Sequence, residues 1–280
     1  MPLTIAQLVA EVRPRLAATS FGAPAREASL LLGQILGLSE AQILAHGGRE
    51  VPAEAAERFR SLLERRLTGE PVAYLFGERE FYGRPFHVDP RVLIPRPETE
   101  HVVEEALTIS LPERPWILDV GTGSGILPIT LALEIPDARA VGTDLSPGAL
   151  AVARGNARRH GVPDRARFVG TDLVLGLDLS RFDLVVSNPP YIDPGDAPSL
   201  SPEVVNFEPH VALFAPGSGD SVLGRLFALL EGLRSGVHVV AEIGFGQIED
   251  ARRHAEASGL HFVAARQDYA GIPRVVVLRR

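Results

Sequence analysis

The chain has 280 residues, 45% of them hydrophobic, and a formal net charge of −7, which suits one catalytic-sized domain, a small accessory domain and an ample core. It contains no cysteine, so disulfides and thiolate metal sites are excluded. The negative balance, with arginine supplying every fixed positive charge, argues against broad nucleic-acid binding, which requires phosphate neutralisation.

The N-terminus, Met1-Pro2-Leu3-Thr4, has no basic segment before an apolar stretch, and no run is long enough to span a bilayer. Neither a signal peptide nor a membrane partner is expected, and the expected location is cytoplasmic. The histidines are scattered with no H-x-x-x-H pair, so no metal site is expected. Residues 4–68 read as helical. Ile5, Leu8, Val9, Val12 and Leu16 recur at helical spacing, and Thr4 with Gln7 makes a capping box. Leu30, Leu31, Gln34 and Ile35 begin a second stripe, and Phe59, Leu62, Leu63 and Leu67 form a third. Arg58, Arg60, Arg65 and Arg66 fall on that third helix, either as a solvated face or as a docking face for an acidic or RNA-like partner. Residues 1–70 therefore read as a helical bundle without a catalytic constellation, expected to recognise a partner.

Residues 71–97 read as a linker containing a β-hairpin, because Glu78 to Val88 alternates and turns near Gly83. From 98 to 280 strands and helices alternate. Three strands close the chain, near Val237–Glu242, Leu260–Ala265 and Arg274–Leu278, the last two expected to be antiparallel. The fold class is α/β: a seven-stranded doubly wound, Rossmann-like sheet with a small N-terminal helical bundle. Such sheets bind ligands at the carboxyl ends of their strands, near the topological switch point.

Four elements fall on that edge. The strand Trp116–Val120 carries Asp119 and runs into Gly121-Thr122-Gly123-Ser124-Gly125, ahead of an apolar helix from Ile126 to Leu133. The spacing is G-x-G-x-G and differs from the dinucleotide fingerprint G-x-G-x-x-G. A carboxylate at this place suits a cationic, phosphate-free ligand such as S-adenosylmethionine better than a pyrophosphate. The next strand, Ala138 to Asp144, ends in an acid able to accept two ribose hydroxyls. Ser146, with Pro147 behind it, caps the following helix, which leaves Asp144 free for a ligand with Leu145 beside it. After the third strand, Asp172 can accept an adenine amino group with Leu173 against the ring, or be a solvated loop acid.

The fourth element is Asn188-Pro189-Pro190-Tyr191, behind the apolar run Phe182–Val186. Two prolines cannot extend a sheet, so a stiff loop ends the strand. It offers the Asn188 amide, a proline carbonyl and the Tyr191 face, which together fit a planar, NH2-bearing group.

These elements in this order resemble the class I S-adenosylmethionine-dependent methyltransferases, and Asn-Pro-Pro-Tyr resembles the members that methylate planar nitrogen. Adenine-N6 and guanine-N2 nucleic-acid enzymes share the tetrapeptide, as do enzymes acting on a ribosomal-protein glutamine. Gly69-Glu70-Pro71-Val72-Ala73-Tyr74-Leu75, Glu80-Phe81-Tyr82 and Leu93-Ile94-Pro95-Arg96-Pro97-Glu98-Thr99-Glu100 are similar to the signature of the peptide chain release factor N5-glutamine methyltransferases. Phe207-Glu208-Pro209, Glu242-Ile243-Gly244 with Gln247, and Asp268 through Arg274 match as well. Pro97 stands where the ribosomal-protein enzymes usually carry serine. The chain departs from the family at Phe214 to Gly219, in place of a Gly-Gly pair after Ala212-Leu213, and at Leu173, in place of a common tryptophan. The resemblance implies methylation of the glutamine in the Gly-Gly-Gln motif of class 1 release factors, without direct nucleic-acid binding. S-adenosyl-L-methionine is the implied donor, and S-adenosyl-L-homocysteine the implied product. Asn188, Pro189, Pro190 and Tyr191 are the implied catalytic residues. The implied cofactor contacts are Asp119, Gly121, Thr122, Gly123, Ser124, Gly125, Asp144, Leu145, Asp172, Leu173 and Asn188.

Overall fold

The computed structural model describes residues 3–17, 24–268 and 270–280. Met1 and Pro2 of the N-terminal reading, and Tyr269 within the Asp268–Arg274 match, lie outside them. The chain divides into two compact units, Met1–Phe76 and Gly77–Arg280.

In the first unit a short strand, β1 (Leu3–Thr4), leads into helix α1 (Ile5–Ala17), followed by α2 (Pro24–Leu36) and α3 (Glu40–Ala45). Strand β2 (Glu50–Val51) pairs antiparallel with β1, and α4 (Ala53–Leu67) and α5 (Val72–Phe76) complete the unit. The Thr4 capping box forms: Gln7 Oε1 accepts from the Thr4 amide at 2.9 Å and Thr4 Oγ1 from the Gln7 amide at 3.3 Å. Ile5, Leu8, Val12 and Leu16 are buried with Phe59 and Leu63. On α2 the buried stripe is Ala28, Leu31 and Leu32, and Leu30 is exposed, so the expected stripe was one residue out of phase. The four arginines of α4 do not make one docking face. Arg66 is buried against Glu27, Arg60 pairs with Glu11, and Arg65 with Glu70. Burying α4's apolar stripe carries Arg66 inward, and its guanidinium needs a carboxylate there.

The second unit opens with a hairpin of β3 (Glu78–Phe81) and β4 (Arg84–His87). Its two-residue turn puts Tyr82 at φ 52° and Gly83 at φ 69°, the paired positive values that a tight hairpin turn needs. Phe81 and Phe86 are fully buried in the core of this unit, so the hairpin expected within a linker is packed onto the sheet domain. A 3-10 turn, Pro97–Thr99, then opens α6 (Glu100–Thr108).

The remaining elements alternate: β5 (Trp116–Val120), α7 (Ile126–Glu134), β6 (Arg139–Asp144), α8 (Pro147–Arg159), β7 (Ala166–Gly170) and β8 (Leu184–Ser187). Two short helices follow, α9 (Pro202–Phe207) and α10 (His210–Leu213), then α11 (Ser221–Leu229), β9 (His238–Glu242), α12 (Ile248–Ala257), β10 (His261–Gln267) and β11 (Pro273–Arg279). The strands form one seven-stranded sheet of order β10-β11-β9-β8-β5-β6-β7. The five from β9 to β7 run parallel, and β11 is antiparallel to both its neighbours.

Alternation along each strand feeds two cores. Ile117, Val186 and Val240 point to one face with α6 and α7, and Leu118, Val185 and Val239 to the other with α11 and α12. Both faces are thereby covered, as a parallel sheet requires. The order reverses between β5 and β8, and that switch point opens a crevice at their carboxyl ends. Among the described residues no helix is long and apolar enough to cross a membrane.

Candidate active site

The loop after β5 is tied down by its own backbone. The Gly121 and Thr122 amides both donate to the Thr143 carbonyl, at 2.9 and 2.8 Å. Gly125 has φ 83°, and a Cβ there would stand 2.9 Å from Ile129 and 3.1 Å from Ala153. Only glycine therefore lets α7 start so close to α8. Of the five loop residues, Gly121 and Gly123 line the crevice. Thr122 and Ser124 are buried behind it, and Asn156 Nδ2 donates to the Ser124 carbonyl at 2.8 Å.

Asp119 is 1% exposed, and neither carboxylate oxygen has a hydrogen-bond partner. Burial pushes its carboxyl up to about 7; the adjacent Thr122 hydroxyl offsets part of that rise, and the Asp144 charge adds to it. An orphaned acid of this kind, directly behind a glycine loop, can offset positive charge brought beside it.

Asp144 is not free as expected. Its Oδ2 accepts from the Gly123 amide at 2.9 Å and its Oδ1 from the Ser146 amide at 2.8 Å. Ser146 caps α8 through the Ala149 amide, as expected, but helix entry also leaves its own N–H to be satisfied, and Asp144 does so. Each oxygen keeps a second lone pair, and Asp144 lines the crevice with Leu145. Asp172 lines it too, with its carboxylate on Arg225 at 2.7 Å, so a ligand would have to share it. Leu173 sits alongside at φ 53°, a costly conformation for a non-glycine residue.

Asn188 stands at the end of β8 between two cavities. One is the crevice just described. The other is lined by Arg96, Pro189, Tyr191, Leu200, Val204 and Leu213. Leu93, Asn188, Pro190 and Ala212 line both. Asn188 Nδ2 donates to Thr99 Oγ1 at 3.0 Å. That leaves Oδ1, and the Pro189 carbonyl beside it, with no hydrogen bond among the described residues. The Tyr191 hydroxyl donates to Glu242 Oε1 at 3.2 Å, and the Tyr191 carbonyl accepts from Gln247 Nε2 at 2.9 Å. Burial and the Glu242 charge hold the Tyr191 proton on. Burial also raises Glu242 to about 7, partly offset by the Thr99 and Tyr191 hydroxyls.

Sequence reasoning found the tetrapeptide and missed what holds it. Thr99, Glu242, Gln247 and Glu208 were visible only as signature residues. Glu208, with a side chain 1% exposed, accepts from Arg96 at 2.6 Å and from the Ile94 amide at 3.1 Å, fastening two walls of the second cavity. The divergent segment Phe214–Gly219 pairs with the residue just after the tetrapeptide: the Ala215 amide donates to the Ile192 carbonyl at 2.9 Å. A Cβ on Gly219 would lie 2.6 Å from the Tyr191 carbonyl oxygen, so this turn needs glycine for close approach.

Comparison with known proteins extends the picture to the whole chain. Residues 7–77 match the PrmC N-terminal domain and residues 104–206 the methyltransferase small domain. The release factor glutamine methyltransferase of Koribacter versatilis (strain Ellin345) is 38% identical over 281 residues, covering 99% of each chain. That of Bordetella pertussis is 43% identical over 257 residues, covering 91% of this chain and 94% of the relative. The crystal structure of a ribosomal protein L11 methylase from Lactobacillus delbrueckii subsp. bulgaricus superposes with a TM-score of 0.51 at 18% identity. It covers 72% of this chain and 88% of its own, and shares the fold alone. A methyltransferase sheet, a glycine loop and the Asn188-Pro189-Pro190-Tyr191 tetrapeptide at one switch point thus coincide with likeness from end to end, and the chain belongs to the release factor glutamine methyltransferase family.

Proposed function

We propose that this enzyme methylates the side-chain amide nitrogen (N5) of the glutamine in the Gly-Gly-Gln motif of class 1 peptide chain release factors. The observation that carries this reading is the pair of open acceptors, Asn188 Oδ1 and the Pro189 carbonyl, where the two cavities share their walls. A primary amide presents two N–H donors in one plane, and two adjacent acceptors match it. The names of the relatives support a glutamine of a release factor as the acceptor.

The donor is S-adenosylmethionine, which when bound supplies an electrophilic methyl on a sulfonium. The residues present fit it. Gly121 and Gly123 let it approach the backbone, Asp144 offers acceptors for ribose, and Leu145 and Leu173 give apolar walls. The unpartnered Asp119 lies behind them.

An amide nitrogen is a poor nucleophile because its lone pair is delocalised into the carbonyl. Asn188 Oδ1 and the Pro189 carbonyl accept its two hydrogens, fix its direction of attack and favour pyramidalisation. Tyr191 offers an aromatic face and helps exclude water. Once methylated, the nitrogen is acidic and loses a proton without a strong base. In this reading the helical N-terminal unit recognises the protein substrate, and the sheet unit, with the hairpin packed on it, carries out transfer in the cytoplasm.

The test is transfer of labelled methyl from S-adenosylmethionine to purified release factor and to the same factor with the Gly-Gly-Gln glutamine changed to alanine. Parallel reactions contain tRNA, rRNA and ribosomal protein. Label on the unmodified factor alone is expected. Label on RNA or ribosomal protein, or equally on both factors, overturns the assignment.

A further inference from the structure

Glu242 is the last residue of β9. Ser187 of β8 pairs with Ala241 of β9, so the next residues, Asn188 and Glu242, lie level on adjacent strands. Val186 and Val240 belong to the same core face, and with a period of two Asn188 and Glu242 continue along it. Glu242 is therefore built into the floor beside the tetrapeptide. It is 1% exposed, Oε1 accepts the Tyr191 hydroxyl at 3.2 Å, and Oε2 has no partner.

A buried carboxyl with an unused acceptor costs stability. Replacing both it and the phenol by apolar groups of the same shape would cost the fold little. The pair is better explained by what it fixes. The tetrapeptide is held at three points: Thr99 on the Asn188 amide, Gln247 on the Tyr191 carbonyl, and Glu242 on the Tyr191 hydroxyl. The first two fix backbone and amide. Only the third fixes the aromatic ring, whose plane must lie against the target amide.

We propose that Glu242 is a positioning residue for methyl transfer, acting through the Tyr191 hydroxyl to set the aromatic face against the acceptor amide. This rests on the amide-methylation reading above. Glu242 does not touch the reacting atoms. Burial favours its protonated form, so a neutral amide can replace it in kind.

The test is a double-mutant cycle of Glu242→Ala and Tyr191→Phe on release factor methylation, with Glu242→Gln as the conservative variant. Each single substitution is expected to lower kcat about tenfold, with the KM for release factor and the Kd for S-adenosylmethionine within about twofold of wild type. The double variant is expected to be no slower than the slower single, and Glu242→Gln to recover most of the Glu242→Ala loss. If Glu242→Ala does not fold, the cycle is run with Glu242→Leu, which fills the space without an acceptor, and Tyr191→Phe, and the same non-additivity is required. Multiplying losses overturn the proposal, as does a Glu242→Ala defect confined to KM or Kd, or a Glu242→Gln as slow as alanine. If wild type methylates another acceptor instead, the substrate assignment fails, and the cycle is read on that acceptor.

Discussion

Asp119→Asn removes one ionisable group from the least solvated position beside the glycine loop and changes the side-chain shape very little. In the ligand-free protein the Asp119 carboxyl titrates near 7 against an ordinary value of 3.8. The direction of the effect follows from proton counting. Below the ordinary value both folded and unfolded chains hold the proton, and nothing is lost. Between the two values the unfolded chain gives up its proton first, so it binds fewer protons and stability falls as pH rises; above about 7 the penalty is constant. At about 1.4 kcal/mol per unit the rise of about three units costs roughly 4 kcal/mol in full, somewhat over half of it between pH 5 and pH 8. The amide variant has no such slope, so urea unfolding without ligand should move in its favour by that amount across the interval. Whatever the new amide costs is the same at both pH values and drops out. Binding of a sulfonium should reverse the preference. Below pH 7 the wild type must release a proton to bind it, so the Kd should tighten by up to about tenfold per pH unit towards 7, and the variant should lack that component. Calorimetry of S-adenosylmethionine binding in two buffers of different ionisation enthalpy measures the proton directly, about half a proton at pH 7 in the wild type beyond that in the variant. Parallel stability curves and equal proton release in the two proteins would refute the assignment of Asp119 as the seat for the ligand's charge.

Asn188→Ala removes one of the two open acceptors and should lower kcat about a hundredfold or more with little change in cofactor Kd; near wild-type turnover in the methyl-transfer assay would rule out its role. Thr99→Val keeps the shape but strands Asn188 Nδ2, and should lower kcat about tenfold, with Thr99→Ser restoring it; equal rates for valine and serine variants would show that Thr99 does not orient the amide. Glu208→Ala leaves the Arg96 guanidinium and the Ile94 amide without their shared partner, and should destabilise the fold by about 3 kcal/mol. A loss below about 1 kcal/mol in urea unfolding would contradict the clamp.

The five parallel strands were legible because buried parallel strands are short apolar runs, and glycine, proline and acidic residues punctuate them at their carboxyl ends. For the same reason the edge carrying Gly121, Asp144, Asp172 and Asn188 could be read before any coordinates: strand polarity alone brings these ends together. Periodicity was a weaker guide where apolar residues run consecutively. Leu30, Leu31 and Leu32 are all apolar, and only packing selected the last two. Hydrogen-bond partners far apart in sequence were not legible at all. That Asp144 is engaged by Gly123, and Asp172 by Arg225, depends on backbone amides and a guanidinium that only the folded sheet brings within reach. Asn188 and Thr99 are 89 residues apart, and Tyr191 and Glu242 are 51 apart. Each pair is set by strand register and by where α6 crosses the sheet. Strand polarity and punctuation in the sequence therefore sufficed for the sheet, for the strand edge at which the crevice opens and for the tetrapeptide that stands there. The tertiary structure decided which acceptors stay open, because a polar group's availability depends on every partner that folding puts beside it.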